Sequence, residues 1–232
     1  MNWANRTTVI RIAFVFRKQL ASSELTNGMR GNDLTTTLYF VRHCESHYVE
    51  GEERSRGISA AGEQDAMKIA ELLRNFPIRV FISSPYARAI QTIQPLADVM
   101  NCPIQLYEDV RERHIGVFGG MSFQEAKRKV YENFHVSFPE GETSHDAQQR
   151  AVAVLQELIS KYEGQHIVIG THGDIMTLML NHFDPTYGFE FWISTTMPDI
   201  YKLELQDMRL LRVEKLWYSI SNSRIDTTPS KK

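Results

Sequence analysis

Two arginines and two histidines stand just past the ends of apolar runs, and these are residue types that bind and attack an anionic group. Leu38-Tyr39-Phe40-Val41 runs into Arg42-His43-Cys44-Glu45-Ser46. Arg79-Val80-Phe81-Ile82 runs into Ser83-Ser84-Pro85, with Arg88 shortly after, and His166-Ile167-Val168-Ile169-Gly170 runs into Thr171-His172-Gly173. A guanidinium forks onto the oxygens of a phosphate or carboxylate, and an imidazole with one bare ring nitrogen is a base or a nucleophile. A single Arg-His pair would say little. Repetition at successive strand ends says more, because open α/β sheets gather ligands in the crevice beyond the carboxyl ends of their strands.

The elements that must position these groups follow from periodicity and cap chemistry. After the first strand, Ser46 to Gly57 reads as a charged, glycine-containing connection, and Ser59 caps a helix with Ala66, Ile69, Ala70 and Leu73 on one face. Ser84 and Pro85 read as the cap and first position of the next helix. That places Arg88 in or near its first turn, with Ile90, Ile93, Leu96, Ala97 and Met100 on the buried stripe. A short strand, about Ile104 to Tyr107, precedes a charged loop from Asp109 to His114, closed by Gly116, Gly119 and Gly120. Ser122-Phe123-Gln124-Glu125 is a capping box that opens a helix with Ala126, Val130 and Phe134 along one side, while Lys127, Arg128 and Lys129 read as its solvated face. A longer helix, about Ser144 to Tyr162, carries Ala147, Ala151, Val154, Leu155 and Leu158 at helical spacing. His172 then stands at the amino end of a helix holding Ile175, Leu178 and Met179. Asp199 to Leu205 and Met208 to Trp217 read as strands joined by a tight turn at Gln206-Asp207. Such alternation argues a three-layer α/β/α sandwich with a mostly parallel central sheet, spanning residues 34–219. Residues 1–33 read as a poorly structured N-terminal extension and 220–232 as a polar C-terminal tail. A second reading starts translation near Met29.

Composition narrows the partners. With 42% hydrophobic and 23% charged residues, the 232-residue chain can bury one sizeable core. A formal net charge of -2 gives no basic face for nucleic acid and no polybasic membrane anchor. A small metabolite or a protein substrate fits better. Cys44 and Cys102 make no disulfide framework, and no Cys/His cluster has the spacing of a zinc site, so a reducing, cytoplasmic setting follows. Val9 to Phe16 is apolar but short and carries Arg11, so it fails the length test for a membrane span, although a signal peptide is an alternative there. Nothing in the pattern specifies an oligomeric state.

Taken in order, Arg42-His43-Cys44-Glu45-Ser46, Ile58-Ser59-Ala60-Ala61-Gly62-Glu63-Gln64, Ser83-Ser84-Pro85-Tyr86-Ala87-Arg88-Ala89-Ile90-Gln91-Thr92, Arg111-Glu112 and Thr171-His172-Gly173 resemble the motifs of the histidine phosphatase superfamily. The resemblance covers about Thr36 to Trp217 and implies the phosphoglycerate mutase-like fold. It implies a phosphatase acting on phosphate monoesters of small metabolites, or of a phosphoprotein, through a phosphohistidine. His43 would be the nucleophile, Glu112 the general acid and base, and Arg42, Arg88 and His172 the groups that bind the phosphoryl. No metal or other cofactor is implied, since the arginines supply the charge that magnesium supplies elsewhere. The physical case runs in parallel. Imidazole attacks phosphorus only when neutral, so His43 needs a partner, often a backbone carbonyl, to fix its other N–H, and nearby arginines repel a proton. Glu112 must start protonated, which a phosphate dianion favours and two arginines oppose. Glu45, Ser46, His47, Arg113 and His114 are further candidates for substrate or supporting contacts.

The chain departs from the family pattern in places. Cys44 stands where glycine is usual, and the first-loop asparagine is not evident, with His47 and Tyr48 in that region. His43-Cys44 also begins the cysteine phosphatase signature, but that signature requires arginine where this chain has Glu50. Two other functions compete. A cofactor-dependent phosphoglycerate mutase is suggested by Glu112-Arg113-His114 followed by Gly116. Against it, Ile115 replaces the expected tyrosine, the expected lysine is missing from Gly120-Met121-Ser122-Phe123, and the long insertion between Gly120 and Gly141 is absent. A non-catalytic member that binds phosphorylated ligands is the third reading.

Overall fold

The computed structural model describes residues 34–218 and places six strands in one sheet. The expectations for 1–33 and 220–232 lie outside the described residues, and the chain divides into units Met1–Leu34 and Thr35–Lys232, the second of which holds the sheet. In chain order its elements are β1 (Thr36–Arg42), α1 (Ala60–Leu73), β2 (Ile78–Ser83), α2 (Ala87–Val99), β3 (Ile104–Leu106) and a 3₁₀ turn at Glu108–Val110. There follow α3 (Phe123–Glu132), α4 (Ser144–Lys161), β4 (His166–Thr171), α5 (Gly173–Phe183), α6 (Phe189–Ser194), β5 (Asp199–Gln206) and β6 (Arg209–Lys215). The sheet order is β3-β2-β4-β1-β5-β6. The first four strands are parallel, and β5 and β6 add an antiparallel edge.

Strand alternation divides the core between two faces. Leu38 and Phe40 of β1 join Ile167 and Ile169 of β4 against α4 and α5, where Ala151, Leu155, Leu158, Ile175 and Met179 are buried. Tyr39 and Val41 face the other way, with Val168 and Phe81, onto Ala66, Ile69 and Leu73 of α1 and Ile93, Leu96 and Ala97 of α2. This is the three-layer arrangement expected of runs that are apolar on both faces. No helix among the described residues is long and apolar enough to cross a membrane.

Cap chemistry holds at Ser59, whose hydroxyl accepts from Gly62, and at Ser122, which forms the full capping box with Glu125. It fails at α2. That helix starts at Ala87 after Tyr86, with no side-chain cap, rather than at Pro85 after Ser84. The Ser84 hydroxyl accepts the Tyr86 N–H at 3.3 Å and lies 2.7 Å from His172 Nε2, and the Arg54 carbonyl accepts the Ala87 N–H at 2.9 Å. Arg88 still falls in the first turn. Phe134 lies beyond the end of α3, and the hairpin turn falls one residue later than expected, with Asp207 at φ 51°. Lys127 is a clear correction: it is buried beside Asp174 rather than solvated, while Arg128 and Lys129 are exposed.

Candidate active site

Register brings the strand ends together. Arg42 pairs with Thr171 and Ser83 with Gly170, and the ladders run on one step further, His43 N–H to Thr171 O and Ser84 N–H to Gly170 O, both at 3.0 Å. His43, Ser84 and His172 therefore emerge side by side at the carboxyl ends of three adjacent strands. The His43 and His172 rings meet edge to face with centroids 5.3 Å apart, Tyr86 packs against His172 at 5.0 Å, and the Arg88 guanidinium lies 4.9 Å from the Tyr86 ring centre. Arg42 closes the group by lying on Gly173. A Cβ built there would fall 2.7 Å from Arg42 Cζ, which is why the residue after His172 has none.

Each of these side chains is held along one edge. His43 Nδ1 lies 2.7 Å from the Cys44 carbonyl, which can only accept, so Nδ1 carries the proton and Nε2 is bare. His172 Nε2 is engaged by Ser84. Arg42 Nη1 donates to both the carbonyl and the hydroxyl of Thr195, at 3.1 and 2.5 Å. Arg88 donates to the Glu53 carbonyl at 2.5 Å and to its carboxylate at 2.6 Å. Arg42 Nε, Arg88 Nε and His172 Nδ1 are buried and have no partner among the described residues. Buried polar atoms are ordinarily paired, so three unpaired ones in a single cluster need an explanation.

Burial and charge act together on the imidazoles. His43 is only 6% exposed, and burial, with Arg88 and Arg42 adding repulsion, pushes it down to about 3 against the pull of its backbone hydrogen bond. His172 is held well below the ordinary histidine value by complete burial and by its His43 and Arg88 neighbours. Both rings are neutral at pH 7.

Glu112 sits at the amino end of α5, where its carboxylate accepts the backbone N–H groups of Asp174 at 3.3 Å, Ile175 at 3.0 Å and Arg113 at 3.1 Å. Behind it lies a buried ionic cluster. Asp174 accepts from Arg113 Nε at 2.7 Å, from Tyr131 at 2.6 Å and from the Lys127 ammonium, and Arg113 also donates to Ser144 at 2.6 Å. Arg113 is thus turned toward Asp174. The other candidates scatter: Glu45 is exposed and accepts from Ser59, Ser46 donates to the Gly57 carbonyl and accepts from Arg56, His47 is exposed, and exposed His114 meets the Glu140 carbonyl at 2.9 Å.

Cys44 is fully buried in the α1–α2 layer, its N–H donates to Thr92, and burial pushes its thiol up to about 12. A thiol that holds its proton is no nucleophile. The side chain that replaces glycine is accommodated opposite Gly62, where a Cβ would lie 3.2 Å from Cys44 Cβ.

Glu53, Arg56 and Thr195 are not among the residues that type and spacing single out. Glu53 and Arg56 lie in the stretch read as a charged, glycine-containing connection, and Arg56 contributes to the repulsion that keeps His43 and His172 neutral. A cavity of about 610 Å³ lies elsewhere, between α1 and residues 196–198 and 216–218, and none of the groups above lines it.

Residues 38–213 match the histidine phosphatase superfamily (branch 1). Among similar proteins, phosphoglycerate mutase-like protein 4 of Arabidopsis thaliana is 28% identical, over 78% of this chain and 84% of its own length. The metal-independent phosphoserine phosphatase of the same plant is 27% identical, over 61% and 66%. The native structure of a mycobacterial glucosyl-3-phosphoglycerate phosphatase shares the fold at TM-score 0.62, 19% identical, covering 79% of this chain and 98% of that one.

Proposed function

We propose that this chain, which belongs to the histidine phosphatase superfamily, hydrolyses phosphate monoesters through a phosphohistidine on His43. The observation that carries the reading is the neutral, oriented imidazole of His43, with Nδ1 tied to the Cys44 carbonyl, set among donors left unpaired on Arg42, Arg88 and His172. The bare Nε2 attacks phosphorus. The unpaired Nε donors of Arg42 and Arg88 take non-bridging oxygens and offset the charge that builds on them in the transition state. When the Ser84 hydroxyl donates to Nε2 of His172, that ring's proton sits on Nδ1 and supplies a further donor.

Glu112 gives a proton to the leaving oxygen and then takes one from the water that cleaves phosphohistidine. Its backbone hydrogen bonds at the start of α5 hold the carboxylate in place for both steps. The nucleophile acts through nitrogen and the charge is met by arginines, so the mechanism uses no metal.

Hydrolysis is favoured over the mutase reading by the fate of Arg113. Its guanidinium is 0% exposed and engaged by Asp174 and Ser144, so it does not reach out to hold a glycerate carboxylate. The test is release of inorganic phosphate from an aryl phosphate by wild type and by His43→Ala, with acid-labile phosphate trapped on His43. Turnover that survives in His43→Ala would overturn the reading. Binding of phosphate without any turnover across a metabolite panel would leave the non-catalytic alternative.

A further inference from the structure

The carboxylate of Glu53 does more than line a loop. It takes Arg88 Nη2 at 2.6 Å and is shared with Arg56, whose Nη2 and Nε lie 3.2 and 3.3 Å from its two oxygens. One carboxylate between two guanidinium groups is the arrangement an oxyanion ligand makes. The two sides of the contact differ in freedom. Arg88 is 1% exposed and fixed in α2, whereas the Glu53 side chain is 44% exposed and sits in residues 46–57, a connection with no helix or strand. Arg56 is also anchored independently, by Nη1 on the Ser46 hydroxyl at 2.9 Å. The acid is the part that can leave.

We propose that Glu53 is a positioning residue that acts as an internal anion, occupying part of the Arg88–Arg56 cationic face in the free enzyme and limiting the affinity of the site for phosphate. It rests on reading Arg88 as a phosphoryl-binding group. A phosphoryl dianion approaching Arg88 meets a like charge already bound to the same guanidinium, so the site binds phosphate less tightly than its cations alone would allow. The Glu53 side chain is 44% exposed and regains water when it is released, so the doubly charged ligand prevails and displaces it. The Glu53 backbone carbonyl keeps its own hydrogen bond to Arg88, so the loop remains attached while the carboxylate swings out.

Glu53→Gln isolates the charge, because the amide oxygen can still accept from Arg88. Binding of inorganic phosphate and orthovanadate is measured by calorimetry on the full chain, with KM and kcat for an aryl phosphate alongside. The expected result is about tenfold tighter binding of both anions and a matching fall in KM, with kcat moving less. A carboxylate that merely braces Arg88 gives the opposite sign, so unchanged or weaker binding in a variant that melts like wild type overturns the proposal. Calorimetry keeps this failure apart from that of the phosphatase reading. Tighter phosphate binding without His43-dependent turnover would leave Glu53 as assigned and remove the enzyme, and turnover without tightening would do the reverse.

Discussion

Lowering the pH from 7.5 to 5.0 should leave His43 neutral in the folded protein and cost the fold stability. With the native ring held at about 3, roughly 1% of it is protonated at pH 5, against about 97% for an ordinary imidazole of pKa near 6.5. The unfolded chain takes up that proton as soon as the pH passes below about 6.5, and the native state does not until near 3. Stability is therefore lost as pH falls through this window, by about 2 kcal/mol for His43 between pH 7.5 and 5.0. His172, lowered chiefly by burial and by its His43 and Arg88 neighbours, adds a loss of the same sign. Urea unfolding followed by tryptophan fluorescence at the two pH values reads the loss directly. Repeating it with His43→Ala cancels the carboxylates and the exposed histidines, and the wild-type loss should exceed the variant's by about 2 kcal/mol. Equal losses in the two proteins would refute the argument. So would an NMR titration of His43 with its midpoint near 6.5.

Three further perturbations test the geometry. Gly173→Ala puts a Cβ 2.7 Å from Arg42 Cζ, so the guanidinium must move off its place; KM for an aryl phosphate should rise about tenfold or more while the melting temperature changes little, and an unchanged KM would mean Arg42 binds no phosphate. Cys44→Ser should keep His43-dependent turnover, and alkylation of the native protein at pH 7.5, mapped by mass spectrometry, should mark half-buried Cys102 before the buried, protonated Cys44. Asp174→Asn strands Arg113 and Lys127 as buried cations without their counter-charge, and denaturant unfolding should show a loss of about 3–5 kcal/mol; a loss under 1 kcal/mol would show that the cluster relaxes to solvent.

Much of the fold was legible because it rests on local rules. Leu38 to Val41 and Ile167 to Ile169 are apolar on both faces, as strands covered by helices must be, and Ser59 and Ser122 sit where a hydroxyl caps a helix. The local rules fail where tertiary contacts compete for the same atoms. Ser84 and Pro85 carry the signature of a helix start, yet the Ser84 hydroxyl is drawn to His172, and the orphan N–H at the start of α2 is met by a carbonyl from residue 54. Lys127 looks like its neighbours Arg128 and Lys129 and differs only because Asp174, 47 residues away, faces it across the core. No window of sequence contains that pairing.

Within the site the same contrast separates the reacting groups from the groups that hold them. In the proposed reaction, nucleophilic attack at phosphorus and the forked binding of its oxygens demand particular side chains, so His43, Arg42, Arg88 and His172 stand out by type at the strand ends. Holding one edge of such a side chain demands only an acceptor or hydroxyl at about 2.5–3.1 Å. In this protein that part is played by a backbone carbonyl at Cys44, a serine at 84, a threonine at 195 and a glutamate at 53. Three chemistries, a carbonyl, a hydroxyl and a carboxylate, do one job, so residue type carries no signal for it and only the folded geometry reveals who performs it. Glu53 is the member whose chemistry exceeds the job, because a charged acceptor at the proposed phosphate site also competes with the ligand. Its substitution by an uncharged acceptor therefore separates holding from competing, which substitution of Thr195 or Ser84 could not do.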